Sequence, residues 1–103
     1  MNRLEKLKEM VRVNPQDPFL QFAIALEYMN NDKTESVALL EKLVEASPGY
    51  VPTYYRLGKL YEEMMRMEEA IEIYRQGIVV ATRAGEIKAV RELREALEQI
   101  KDE

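Results

Sequence analysis

The side chains in this chain that could do chemistry are carboxylates and phenols. Two glutamate pairs, Glu62-Glu63 and Glu68-Glu69, offer the residue type that serves as general acid, general base or metal ligand. Tyr54, Tyr61 and Tyr74 could act as phenolic acids. The chain has neither histidine nor cysteine, which removes the commonest general base, the commonest zinc ligand, thiolate chemistry and disulfides. The glutamate pairs fall on expected solvated helix faces or turns and read as solubilising charge. The tyrosines fall on expected core positions. Nothing here assembles a nucleophile, a base or a metal set, so the expectation is a non-enzymatic protein that needs no metal and no cofactor.

The elements that place those tyrosines begin with the stretch from Tyr54 to Gly77. Tyr54, Leu57, Gly58 and Tyr61 are spaced three, one and three apart, which puts them on one side of a helix. Glycine inside a helix costs roughly 1 kcal/mol relative to alanine and is tolerated where a second helix comes close. Ala70, Ile71, Tyr74, Gly77 and Ile78 repeat the logic on a second helix. Bulky aromatics against small residues make a tightly packed helical hairpin.

This pattern resembles the tetratricopeptide repeat: an aromatic, Leu-Gly, a tyrosine, then alanine and an aromatic four residues later. Tyr54, Leu57, Gly58, Tyr61, Ala70 and Tyr74 fall in register, and Gly77 stands where the family usually has alanine. There are two departures. Met65 occupies the inter-helix turn, where the family favours a small residue, and Thr82 replaces a closing proline. An ordinary helical hairpin with no repeat identity is the plainer alternative. An internal copy favours the repeat.

That copy spans residues 17–49. Ile24, Ala25 and Tyr28 match Leu57, Gly58 and Tyr61 at an offset of 33, and Ser36, Leu40, Leu43 and Val44 match Ala70, Tyr74, Gly77 and Ile78 at 34. Asp17 is the expected N-cap with Pro18 at N1, and Asp32 with Glu35 the expected capping box. Residues 1–16 carry a stripe of Leu4, Leu7, Met10 and Val11 that matches the helix at 37–47, so they read as the second helix of a half repeat. Residues 50–84 are the second repeat, and Gly85 is an expected left-handed C′ residue. Residues 85–103 form a capping segment whose helix carries Ile87, Val90, Leu93, Leu97 and Ile100 on one stripe, with a polar outer face. The expectation is one all-α domain, a superhelix of helical hairpins with six helices: half a repeat, two repeats and a cap.

The resemblance implies that the first helix of each repeat lines a concave groove holding an extended peptide or a partner's helix. Opposite the core positions stand Phe22, Leu26 and Met29, with Phe19 one turn earlier, then Tyr55, Lys59 and Glu62. The last helix adds Lys88, Arg91 and Glu95. Phe22 and Leu26 occupy two positions at which one subset of the family clamps a terminal carboxylate with polar residues, so that specificity is not expected. Residues 19–29 are apolar on nearly every side; a helix apolar all round calls for burial all round, and the residues available in this chain are expected to cover only part of it. Three covers are open for Phe19, Phe22, Leu26 and Met29: the first helix folding over them, a different protein, or a second copy in a homodimer. Met10, Met64, Met65 and Met67 read as gap-fillers or turn residues. A net charge of −4 argues against nucleic acid. No apolar run approaches a membrane span, and the N-terminus lacks a signal peptide's apolar core, so a cytoplasmic protein is the expectation.

Overall fold

The computed structural model describes residues 2–101, all six elements of which are helices: α1 (Arg3–Val13), α2 (Pro18–Tyr28), α3 (Lys33–Ala46), α4 (Pro52–Glu63), α5 (Met67–Ala84) and α6 (Ile87–Lys101). Residues 1, 102 and 103 of the first and last expected segments lie outside the described residues. The chain divides into two compact units at Ser47 and Pro48.

In the N-terminal unit the helices start where the side chains satisfy the free backbone donors. Asn2 Oδ1 accepts the Glu5 N–H at 2.8 Å, Asp17 Oδ1 accepts that of Phe19 at 2.9 Å, and Asp32 Oδ1 accepts that of Glu35 at 3.0 Å. The capping box at Asp32 is one-sided, because the Asp32 N–H goes back to the Tyr28 carbonyl at 2.7 Å. α1 packs on α2 through Leu7, Leu20 and Ala23, with Val11 and Ile24 against them. The α2–α3 hairpin closes on Ala25 and Ser36, both fully buried; Ser36 Oγ donates to the Ala25 carbonyl at 2.7 Å.

The C-terminal unit is α4, α5 and α6. Tyr54, Leu57, Leu60, Tyr61, Ala70, Ile73, Tyr74, Ala81, Leu93, Ala96 and Leu97 form its buried interior. Two of its glycines, Gly58 and Gly77, pack against tyrosines. A β-carbon on Gly58 would stand 2.7 Å from Tyr74 Cδ1, and one on Gly77 would stand 2.6 Å from Tyr54 Cβ. The Tyr54 hydroxyl donates to the Pro48 carbonyl. Ile73 is buried, whereas Ile71 is only half-buried.

α4 and α5 end in the same way. The Arg66 N–H reaches the Tyr61 carbonyl at 2.8 Å and the Met65 N–H reaches Glu62 at 3.0 Å; the Glu86 and Gly85 N–H groups do the same to Ala81 and Thr82 at 2.9 and 3.1 Å. This paired bonding needs a left-handed residue just past the helix. Gly85 supplies it at φ 73°, and Met65 adopts it at φ 61°.

The chain covers α2 only in part, as expected from its surplus of apolar side chains, and the break is in which residues stay open: Phe19 is 58% exposed, and Phe22, Leu26 and Met29 are half-buried. α1 and α3 cover α2 on the sides of Leu20, Ala23 and Ala25, and α1 does not fold over Phe19. The α6 stripe also breaks, because Ile87 is 79% exposed while Leu93, Ala96 and Leu97 are buried. At 100° per residue, Ile87 lies about 120° around the helix from Leu93, on the outer face.

Candidate functional site

The expected partner-binding residues fall on three surfaces. On α4, Tyr55, Lys59 and Glu62 share one side and are all half-buried. The Tyr55 and Tyr74 rings lie 6.4 Å apart at 47°. Lys59 Nζ stands 5.5 Å above the Tyr55 ring and 3.7 Å from Glu62 Oε2. Glu62 Oε2 also accepts the Tyr74 hydroxyl proton. The chain thus presents an aromatic ring, a cation held over it and a carboxylate anchored from beneath.

Burial, with the negative Glu62 carboxylate second, pushes the Tyr74 phenol well above its ordinary value. Tyr74 therefore stays neutral and works as a donor. Burial likewise raises Tyr54. Neither is poised as an acid. Tyr74 is the residue missed in reading this face: a buried hydroxyl beside a glycine needs an acceptor, and Glu62 stands within reach one helix away.

On α2, Phe19, Phe22 and Leu26 line a depression of about 210 Å³ with Ala23, Arg3 and Glu27. Arg3 Nε pairs with Glu27 Oε1 at 2.6 Å across its edge. Met29 lies just past α2, its N–H on the Leu26 carbonyl at 3.2 Å, and does not line the depression.

Arg91 does not join Tyr55, Lys59 and Glu62. It lines a groove of about 750 Å³ between the C-terminal end of α5 and α6, with Glu95 one turn further along the same face of the helix, and no α4 residue borders that groove. Lys88 turns away and reaches Glu92 at 4.0 Å. Exposed Ile87 and half-buried Val90 give the groove an apolar end. That end follows from the angular position of Ile87, which assigning it to the inner stripe obscured.

The carboxylate pairs do not converge. Glu62 holds Tyr74, while Arg66 grips Glu69 with two bonds at 2.7 and 2.5 Å, which lowers the Glu69 carboxyl below its usual range. Among the described residues no three acidic side chains gather as a metal site, and no helix is long and apolar enough to cross a membrane.

The pattern of the tetratricopeptide repeat matches residues 51–78, which covers α4, the Met65 turn and most of α5. A crystal structure of a tetratricopeptide repeat domain protein from Salinibacter ruber is similar at 44% identity, covering 82% of this chain and 97% of that one, with a TM-score of 0.80. A protein of Bordetella parapertussis shares the fold over 99% of this chain and 90% of its own, at 19% identity and a TM-score of 0.83. Among curated proteins, interferon-induced protein with tetratricopeptide repeats 2 of Cricetulus griseus is 22% identical over 77 residues, a match taking in 75% of this chain but only 16% of that protein. Sequence identity over nearly a whole repeat domain, together with Tyr74 on Gly58 and Tyr54 on Gly77, assigns this chain to the tetratricopeptide repeat family, whose fold is generally a protein–protein interaction module rather than an enzyme.

Proposed function

We infer that the chain is a non-enzymatic scaffold that receives an extended peptide or a partner's helix against the α4 face of Tyr55, Lys59 and Glu62. The observation that carries this reading is the linked set on that face: Lys59 over the Tyr55 ring, and Glu62 held by Tyr74. A bound peptide offers backbone N–H and C=O groups, which a carboxylate and an ammonium can take, while the ring packs against a side chain. Groups already held in place lose little freedom on binding. The α2 depression of Phe19, Phe22 and Leu26 suits an apolar side chain of a partner. A net charge of −4 supports protein rather than nucleic acid as that partner.

The test is selection of a displayed random-peptide library against the protein, with NMR shift mapping of the selected peptides. The expected result is shifts at Tyr55, Lys59 and Glu62, and at least tenfold weaker binding by Lys59→Glu with an unchanged melting temperature. Peptides that leave those amides unmoved and bind Lys59→Glu as well as the wild type would overturn it.

A second reading, a homodimer through the N-terminal end, is favoured by the 58% exposure of Phe19. Against it, Phe22, Leu26 and Met29 are half-buried, so the free patch is smaller than their types suggest. Sedimentation of a Phe22→Asp, Leu26→Lys variant decides it: a dimer lost with helicity kept supports this reading.

A further inference from the structure

Of the six helices, α1 is the one held least. Only Leu7 of its eleven residues is buried, against at least three in each other helix among the described residues. Leu4 and Val11 are half-buried on the same stripe, while Met10 and Val13 face water. Val11 joins Leu7 against Leu20, Ala23 and Ile24 of α2. Two links at the surface complete the attachment: Arg3 Nε to Glu27 Oε1 at 2.6 Å, and Lys8 Nζ 5.8 Å from the centre of the Tyr28 ring. Exposed pairs of this kind stabilise little, and so short a helix is marginal without packing. Elements with few buried contacts open at free energies well below that of global unfolding.

The helix beneath is the opposite case. Apart from Gln21 and Glu27, the side chains of α2 are apolar or aromatic, and none is basic. Lifting α1 uncovers Leu20, Ala23 and Ile24. Ala23 also borders the depression of Phe19, Phe22 and Leu26, so the two surfaces run together. The carboxylate of Glu27 and the ring of Tyr28 stand at the end of this apolar face, each beside a cation of α1.

We propose that α1 is a displaceable strap, lying where a partner protein docks a basic amphipathic helix on α2. α1 itself shows what fits there. It offers an apolar stripe of Leu4, Leu7 and Val11, with one cation just before Leu4 and another just after Leu7. A partner helix of that pattern makes the same contacts, since an amphipathic helix docks through anchors at such spacings. Larger apolar residues on the partner also fill the depression beside Phe19, which α1 leaves 58% exposed. That surplus drives the exchange. The tether keeps α1 at high effective concentration over α2, so only a helix that outdoes its contacts displaces it. The strap therefore sets the threshold for binding and shields the apolar face in the partner's absence. The site is separate from the α4 face and does not depend on that face binding a peptide.

Two measurements on the full chain test this. In native-state hydrogen exchange under rising sub-denaturing urea, the α1 amides are expected to exchange through an opening that leaves α3 and α5 protected. α1 amides that exchange only with global unfolding overturn the strap. The second measurement titrates a fluorescein-labelled peptide of residues 2–16, used as the probe helix, with the wild type and two variants. Leu7→Asp removes the buried contact of α1. Arg3→Glu with Lys8→Glu loosens α1 from the surface and leaves its apolar stripe intact, so it serves if Leu7→Asp disturbs folding. Both variants should bind the peptide at least tenfold more tightly than the wild type, because their own α1 competes less, with NMR shifts at Leu20, Ala23 and Ile24. A peptide carrying Leu7→Asp should not bind. In the Leu7→Asp chain, Glu27→Lys should weaken the peptide and Arg3→Glu in the peptide should recover it. Equal affinity for the wild type and both variants overturns the proposal, as does a peptide that binds none of them at millimolar concentration. Sedimentation separates the other occupant: a wild-type dimer that Leu7→Asp abolishes means that two copies exchange α1, which overturns a separate partner.

Discussion

The Tyr74 ring lies directly on Gly58, so close that a β-carbon on Gly58 would stand 2.7 Å from its Cδ1. Tyr54 lies on Gly77 in the same way from the opposite helix. The two contacts set how near α4 and α5 approach. Tyr74 is fully buried and its hydroxyl is tied to Glu62, so the ring has little room to give.

Gly58→Ala should therefore destabilise the protein despite alanine's better helix propensity. Overpacking costs about 1–3 kcal/mol, against a gain of about 1 kcal/mol from propensity. Gly58→Leu should unfold or badly loosen the C-terminal unit. Gly49→Ala is the control, since its β-carbon would meet nothing within 4 Å. Thermal melts followed by circular dichroism measure all three. A Gly58→Leu melt matching the wild type would remove Gly58 from the helix contact.

Met65 should be the reverse case. It holds a left-handed backbone at φ 61°, with its side chain 78% exposed, so glycine there relieves strain and removes no packing. Met65→Gly is expected to raise stability by about 0.5–1 kcal/mol. Gly85→Ala, at φ 73°, should lower it by a similar amount. Urea titrations of the two variants should shift the midpoint in opposite directions with unchanged slopes.

Glu62 and Lys59 should separate in their effect on folding. Lys59 pairs with Glu62 at 3.7 Å and is partly solvated, so Lys59→Glu should cost within about 0.5 kcal/mol. Glu62→Ala leaves the Tyr74 hydroxyl without its acceptor, a loss of about 1–3 kcal/mol. Glu62 is thus both a candidate binding residue and a support for the hairpin. In a double-mutant cycle, Glu62→Ala should cost much less once Tyr74→Phe has removed the donor; equal costs in both backgrounds would argue that the bond contributes nothing.

The tyrosines predict the alkaline limit. Tyr74 and Tyr54 both have folded values above the ordinary 10.0. Below pH 10 both states hold the phenolic proton and the stabilisation is fully present. As pH rises past 10 the unfolded chain releases protons that the folded chain keeps, so stability falls. Tyrosinate absorbance from these two residues should appear together with loss of helicity. Full ionisation of all six tyrosines in a still-helical protein would contradict it.

Thr53 should tolerate, and gain from, loss of its hydroxyl. It is fully buried, and its Oγ1 has no hydrogen-bond partner among the described residues. Thr53→Val keeps the shape and removes an unsatisfied polar atom, for an expected gain of about 1 kcal/mol. A differential scanning calorimetry trace with a lowered transition would mean that the hydroxyl has a partner after all.

What the sequence determined by itself was the set of helices and their closest contacts. Those depend on local periodicity, on caps such as Asp17 and Asp32, and on glycines placed opposite aromatics, all of which are written at short range. The left-handed residue at Gly85 was legible for the same reason, whereas the sequence marked Met65 only as a turn residue, and its left-handed backbone emerged from the structure. What only the tertiary structure decided was which apolar residue each neighbouring helix covers. Phe19 and Leu20 are equally apolar and adjacent, yet Leu20 is buried under α1 and Phe19 is 58% exposed. Ile87 and Leu93 read as one stripe, yet the packing of α6 on α5 takes Leu93 and leaves Ile87 outside. The same holds for the candidate site: the alignment of Tyr55, Lys59 and Glu62 follows from helix spacing, whereas the Tyr74 bond to Glu62 and the separation of Arg91 from that cluster depend on how one helix sits against the next. Burial belongs to pairs of helices, and a single helix's pattern gives the width of its apolar face but not the direction from which that face is covered.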